Sequence, residues 1–151
     1  MVVALSVAAL AAAQLQTVGA SETFSAAKLS ANETQEIVAA IEQSVYDTPD
    51  SWEQELRVRR VDVGSGQGLV VSGTKLLCGA TGNCQIWVFL NTNGRWVSLF
   101  EGGDPPIAEG FQFGPGASHG VKDLTTSTNS SAERSKHTTY RFDGKVYRVG
   151  P

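Results

Sequence analysis

The stretch IWVFLNTNGRWVSLF, residues 86–100, decides the fold. Asn93-Gly94 lies between two apolar runs, and this dipeptide is a strong signal for a two-residue β-hairpin turn. Both arms carry large apolar residues at nearly every position, as expected of a strand that is buried on both faces. The sequence therefore predicts a doubly buried hairpin near the middle of a sheet, with Trp87 and Trp96 in a core.

The two cysteines, Cys78 and Cys84, come shortly before this hairpin in the segment CGATGNC. The glycines and the asparagine between them favour a tight turn. A structural zinc site needs four ligands in most cases, and the spacing is not the C-x-x-C of a redox motif. We therefore predict a disulfide that closes the turn, with two buried thiols or a metal site as the alternatives. No cofactor or metal is expected.

Strands are also predicted between the helix region and the cysteines. In residues 56–63 the apolar side chains of the two halves fall on opposite faces, because the alternation slips in phase. A β-bulge near Arg59-Arg60 would bring all of them to one face, and we expect one there. Residues 69–71 predict the next strand.

The C-terminal third predicts further strands separated by turns. The expected order is a strand at 111–113 ended by Gly114-Pro115-Gly116, a strand at 121–126, a polar turn at 128–132, and a hairpin that turns at 143–144.

An amphipathic helix is predicted over residues 33–46. Ser30-Ala31-Asn32-Glu33 matches the capping box S-x-x-E. The apolar stripe consists of residues four apart, Ile37, Ile41 and Val45. The segment 47–50 contains Pro49 and should end the helix. Residues 21–29 are expected to be a loose leader.

The first twenty residues contain no charged side chain. Their apolar core is shorter than the roughly 20 residues of a bilayer span and matches the apolar region of a secretory signal, although the usual positive start is missing. Val18-Gly19-Ala20 predicts cleavage after Ala20, and Ala11-Ala12-Ala13 is an alternative site. We therefore expect an exported protein, periplasmic or extracellular, with no stable membrane insertion after cleavage.

The composition indicates one globular domain. The chain has 151 residues, of which 41% are hydrophobic and 18% charged, and its net charge is −3. The predicted fold class is α+β, mostly β: an N-terminal amphipathic helix packed on a curled antiparallel meander of about six to eight strands, with one disulfide. The expected organisation is a signal peptide at 1–20, a leader at 21–29 and a single domain at 30–151.

Four segments, CGATGNCQIWVF, RWVSLF, VKDLTT and YRFDGKVYRV, resemble those of exported, uncharacterised bacterial proteins with a small β domain. The resemblance covers about Leu56 to Arg148 and implies an exported β domain without a known activity. The strand containing Asp123-Leu124 and the hairpin at Phe142-Asp143-Gly144 are also similar to FG-GAP-type repeats. The D-x-D-x-D-G calcium loop of those repeats is missing, and a single copy cannot build a propeller.

Catalytic candidates are few. Ser118, His119, Asp123 and His137 are the residue types of a hydrolase, but neighbouring residues of one strand point to opposite faces, so Ser118 and His119 cannot pair there. His137 could approach Asp123 if their strands pair. No catalytic residue is assigned, and a small extracytoplasmic hydrolase using His137 and Asp123 is the alternative function.

Aromatic and basic residues interleave near the C-terminus, as on a nucleic-acid stacking platform: Tyr140, Arg141, Phe142, Lys145, Tyr147 and Arg148. A hairpin with one solvent-exposed face gives the same pattern, and the negative net charge argues against a phosphate-binding surface. We therefore expect no nucleic-acid partner.

The favoured function is an exported binding or protein-interaction domain, with an inhibitor or immunity protein as one form. Loops on a rigid sheet commonly carry such functions. Thr81 and Asn83, inside the cysteine loop, are the expected contacts to another extracytoplasmic protein.

Overall fold

A computed structural model describes residues 16–17, 23–24, 26–43, 50–101, 105–131 and 134–151. The strands are β1 Gln16–Thr17, β2 Leu56–Asp62, β3 Gln67–Gly73, β4 Cys84–Thr92, β5 Arg95–Ser98, β6 Ile107–Ala108, β7 Gly110–Ser118, β8 Val121–Ser131, β9 Arg134–Phe142 and β10 Tyr147–Val149, and helix α1 is Ala31–Glu42. The predicted fold class, mostly β with one helix, antiparallel sheets in a meander and one disulfide, is confirmed. This part of the chain contains no helix with the length and hydrophobicity that a bilayer span requires.

The strands form two antiparallel sheets. The first has the order β2-β3-β4-β5, with β6 paired to the start of β4, and the second has the order β1-β7-β8-β9-β10. The predicted single meander is thus two meanders, and the described residues contain more strands than expected. Main-chain hydrogen bonds join the sheets, from Lys122 N to Val63 O at 2.8 Å and from Tyr147 N to Leu99 O at 2.7 Å.

The first sheet is the middle of three layers. From β4, Ile86 and Val88 enter a core shared with the second sheet, while Trp87 and Phe89 enter a core on the opposite face. Helix α1 covers that second core with Ile37, which is completely buried, and Ile41. The double burial predicted for β4 is therefore correct, and the second sheet supplies one of its two covers.

The bulge predicted near Arg59-Arg60 is wrong. Strand β2 pairs with β3 in continuous register from Leu56 opposite Gly73 to Asp62 opposite Gln67. The change in the alternation of apolar residues along β2 has another cause: the apolar side chains of its two halves pack into different cores. Leu56 and Val58 pack on the helix side, and Val63, just past the strand, packs between the sheets.

Helix α1 begins as predicted. Glu33 N donates to Ser30 Oγ at 3.2 Å and Ser30 N donates to Glu33 Oε2 at 2.9 Å, which completes the capping box. The described helix ends at Glu42, with Gln43 as its C-cap. Val45 and Pro49, on which the predicted C-terminal end depended, lie outside the described residues, as do 44 to 49 altogether.

The segment before the helix is packed, in contrast to the loose leader that the sequence predicts. Ala27 is buried in the helix-side core, with Phe24 and Leu29 against it. Arg60 also donates to Ala27 O from Nε at 3.3 Å and from Nη2 at 3.2 Å. These contacts make the described part of the leader a component of the domain.

The hairpin of β4 and β5 turns at Asn93-Gly94, as predicted. Both residues have positive φ, 53° and 82°, and Thr92 pairs with Arg95, so the turn has two residues. The second arm is not doubly buried, however. Trp96 is buried whereas Val97 is 48% exposed, because β5 is an edge strand with only one covered face.

Two of the C-terminal predictions are also corrected. Gly114-Pro115-Gly116 does not end β7, which continues through a register shift between Phe113 and Ala117. The predicted polar turn at 128–132 is mostly strand, since β8 extends to Ser131 and pairs with β9. Polar residues are tolerated there because Thr128 and Asn129 are only partly buried and Ser130 is exposed.

Candidate functional site

The predicted disulfide between Cys78 and Cys84 is present. The two residues face each other as an antiparallel bridge, and their Cα atoms lie 4.0 Å apart. This separation lies just below the usual range for bridged cysteines and close to the roughly 4.5 Å of a directly opposed antiparallel pair without mutual hydrogen bonds. The disulfide therefore closes the base of a loop whose tip is residues 79–82.

The backbone of this loop is internally hydrogen-bonded. Gly79 N donates to Asn83 O at 2.7 Å, and Gly82 N donates to Gly79 O at 3.0 Å. Gly82 has φ +80°, a conformation that side-chain-bearing residues rarely adopt. The tip residues are exposed, so the loop presents a fixed backbone shape to solvent.

Asn83 attaches the loop to the second sheet. It is only 6% exposed, and its Nδ2 donates to Asn129 O at 2.7 Å while its Oδ1 accepts from Asn129 N at 2.8 Å. Nδ2 also donates to Thr81 Oγ1 at 2.6 Å. Asn129 is itself held by Glu109, whose Oε2 accepts from its Nδ2. Asn83 thus orients the loop, and Thr81 is the exposed member of the predicted contact pair.

Two exposed apolar side chains border the loop. Leu76, 60% exposed, lies on the short 3-10 helix that leads into Cys78. Ile107, 55% exposed, pairs with Gln85 next to the pairing of Cys84 with Ala108. Sequence reasoning missed both residues, since leucine and isoleucine beside strands are normally assigned to the core. We call Leu76, residues 79–82 and Ile107 together the loop surface.

The loop surface offers shape and apolar contact and carries no acid–base chemistry. Its residues are Leu76, Gly79, Ala80, Thr81, Gly82 and Ile107, none of which titrates in the physiological range. One hydroxyl, three apolar side chains and a fixed backbone suit recognition of another surface.

The predicted hydrolase residues do not assemble. His137 pairs with Ser127, four residues along β8 from Asp123, which places them roughly 13 Å apart along the sheet. Ser118 Oγ donates directly to Asp123 Oδ1 at 2.8 Å, with no histidine between them. His119 forms a tight turn at φ 50°. This arrangement orients no base toward a nucleophile, so it gives the His137–Asp123 alternative no support.

The aromatic residues near the C-terminus pack inward. Tyr140 and Phe142 lie against the inter-sheet core, and Phe100 contacts Tyr140 and Tyr147 at ring-centroid distances of 5.4 and 5.5 Å. Tyr147 OH donates to Lys122 O at 2.7 Å, and burial raises the pKa of this phenol well above its usual value. These rings therefore form a core and do not present a stacking platform.

An open cleft of about 640 Å³ lies between α1 and the tip of the β4–β5 hairpin. Its two carboxylates are already engaged: Glu33 accepts from Trp96 Nε1 at 3.1 Å, and Glu36 accepts from Arg95 Nε at 3.0 Å. Hydrogen bonds from Ser30 and Trp96 lower the pKa of Glu33, and those from Arg95 and Trp96 lower that of Glu36. These contacts fasten the helix to the hairpin.

Among the described residues, no three histidine, cysteine or acidic side chains lie together as metal ligands would. No protein-family model matches the chain, and comparison with curated proteins and with solved structures gave no match. The fold and the loop surface define a small three-layer α+β protein with a disulfide-closed, exposed loop.

Proposed function

We propose that the chain is an exported binding domain that contacts another extracytoplasmic protein through the loop surface. The observation that carries the proposal is the loop itself, because its tip is exposed while the disulfide and the Asn83–Asn129 hydrogen bonds fix it on two sides. A loop that is ordered before binding loses less conformational entropy when it binds.

The border of the loop supports the same function. Of the four exposed large hydrophobic side chains among the described residues, Leu76 and Ile107 flank the loop. Exposed apolar side chains beside a rigid loop, with polar groups around them, are typical of interaction sites. The remaining two, Val97 and Val149, lie on edge strands β5 and β10 and serve as matched controls.

Export is supported by the disulfide and by the apolar N-terminal segment. Disulfides persist in oxidising compartments and are rare in the cytosol. An inhibitor or immunity protein is the form of interaction that we favour, since protease–inhibitor complexes form between preorganised surfaces and an inhibitor needs no catalytic residues.

The test compares the loop-surface variants Leu76→Ser and Ile107→Ser with the control variant Val149→Ser. Each variant is expressed as the full chain, and the exported protein is collected. Partners captured by the native protein are identified, and the affinity of each variant for the main partner is measured. We expect the two loop-surface variants to bind about tenfold more weakly, as for removal of an apolar contact worth over 1 kcal/mol. Equal binding by all three variants would overturn the assignment of the surface.

A further inference from the structure

The structure points to a second element of the binding surface, a strand edge that continues from Ile107. Strands β6 and β7 follow each other along the chain with only Glu109 between them. Strand β8 lies along one side of this segment: Glu109 N donates a hydrogen bond to Ser127 O at 2.8 Å, and Gly110 pairs with Ser127. On the opposite edge, β4 covers Ile107 and Ala108. The next part of that edge is covered by β1.

The described part of strand β1, Gln16–Thr17, covers two residues of this edge. Gln16 pairs with Phe111 and Thr17 pairs with Gly110, both antiparallel. Among the described residues no strand pairs with Gln112 or Phe113 on this side. The bulge after Phe113 and the proline at position 115 then end the regular edge, since both features discourage strand pairing. The stretch that can accept a strand is therefore short and defined, Gly110–Phe113.

The predicted signal cleavage after Ala20 would remove Gln16 and Thr17. The edge of β7 would then present unpaired main-chain groups, which are a template for an added strand. The pairing of β1 shows how a strand would be added there: an extended, uncharged segment lies antiparallel to β7 at this position.

We propose that in the processed protein the Gly110–Phe113 edge accepts an extended segment of the partner, antiparallel and uncharged, in the place that β1 occupies here. Recognition by strand addition takes its affinity from main-chain hydrogen bonds. This inference rests on the proposed function, since the edge begins three residues beyond Ile107 and extends the loop surface. It assigns the partner a flexible or edge-strand segment as well as a contact for the loop.

The probe is a fluorescent peptide of residues 14–20, QLQTVGA, titrated by anisotropy into the exported, processed protein. We expect saturable binding of the unmodified peptide. The same peptide N-methylated at Gln16 and Thr17 should bind at least about tenfold more weakly, because methylation removes main-chain donors and sterically blocks strand pairing. Leu76→Ser should bind the peptide as the native protein does. Peptide binding is thus independent of the loop surface, and failure of one proposal is distinguishable from failure of the other.

Four results would overturn the strand-addition proposal. Absence of saturable binding, or equal binding by the methylated peptide, would show that the edge does not accept a strand. Mass spectrometry that finds Gln16 and Thr17 retained in the exported protein would show that the edge stays covered. A dimer that the peptide dissociates would assign the edge to a second copy of this chain.

Discussion

The side chain of Asn83 and the backbone of Asn129, 46 residues apart in sequence, form a closed pair of hydrogen bonds of 2.7 and 2.8 Å. An amide group can donate and accept at once, so it replaces a missing strand neighbour for Asn129. Through this pair the disulfide loop, which leaves the first sheet, is fixed to the second sheet. The position of the loop surface therefore depends on a residue that does not belong to its exposed part.

Asn83→Ala should lower the free energy of unfolding by about 1–3 kcal/mol, because the mutation leaves the partly buried N–H and C=O of Asn129 without their partners. Urea denaturation of the purified protein measures the change. Gln67→Ala, at an exposed amide position, should stay within about 0.5 kcal/mol of the native protein. A loss in Asn83→Ala no larger than in this control would mean that water replaces the Asn83 amide at no cost.

Replacing both cysteines by serine should cost about 2 kcal/mol, as estimated from the chain entropy of a loop of this length. The double variant should keep its fold, because the two cores lie mainly outside the loop. Circular dichroism would check the fold and urea melts the stability. Reducing agent should destabilise the native protein by the same amount and leave the double variant unchanged. A collapse of the fold in the double variant would contradict this account.

Trp87→Ala should lower stability by about 3–5 kcal/mol, because the ring is only 2% exposed and its loss empties part of the helix-side core. Val97→Ala on the same hairpin is the matched control. Its side chain is 48% exposed, so the change should be below about 1 kcal/mol. Similar losses in the two variants, measured by chemical denaturation, would contradict the assignment of Trp87 to a closed core.

Acid should loosen the attachment of α1 to the hairpin. The hydrogen bonds from Ser30 and Trp96 lower the pKa of Glu33 from 4.5 in the folded state. A carboxylate with a depressed folded pKa contributes stability that is present above its unfolded pKa and is lost as the pH falls through the folded value. The contribution of Glu33 should therefore be intact at pH 7 and decline below about pH 4.5.

Stability measured from pH 7 to pH 3 in native protein, Glu33→Gln and Trp96→Phe tests this dependence. Glu33→Gln should show a shallower decline in acid, since glutamine does not titrate. Trp96→Phe removes one donor to Glu33 and should fall between the other two. Parallel curves for the native protein and Glu33→Gln would show that the pKa of Glu33 is not linked to folding.

Local signals in the sequence predicted much of the fold. The capping box at Ser30, the turn at Asn93-Gly94 and the disulfide each depend on residues close in sequence, and each is present. The change in alternation along β2 does not predict its cause, because periodicity shows which side chains share a face and does not show what covers that face. Here both faces are covered, so two phases coexist without a bulge.

The candidate site was only partly predictable. The loop was found from its cysteines and glycines, but the role of Asn83 depends on Asn129, a partner that spacing could not identify. The exposure of Leu76 and Ile107 also arises from tertiary packing. Leu76 and Leu77 are neighbouring leucines, yet Leu76 is exposed and Leu77 is buried. Sequence patterns predict burial for such residues, and only the packed structure separates the exposed from the buried one.

The central claim is that the loop surface contacts a partner, and site-specific photo-crosslinking tests it most directly. A photoreactive amino acid is placed at Thr81 in one exported protein and at Gln67, also exposed, in another. Both proteins are irradiated in their native exported fraction. We predict a single major adduct from position 81 that is absent from position 67 and disappears when unlabelled native protein competes. Adducts that are identical at the two positions, or none at position 81 while a partner is still captured, would contradict the claim.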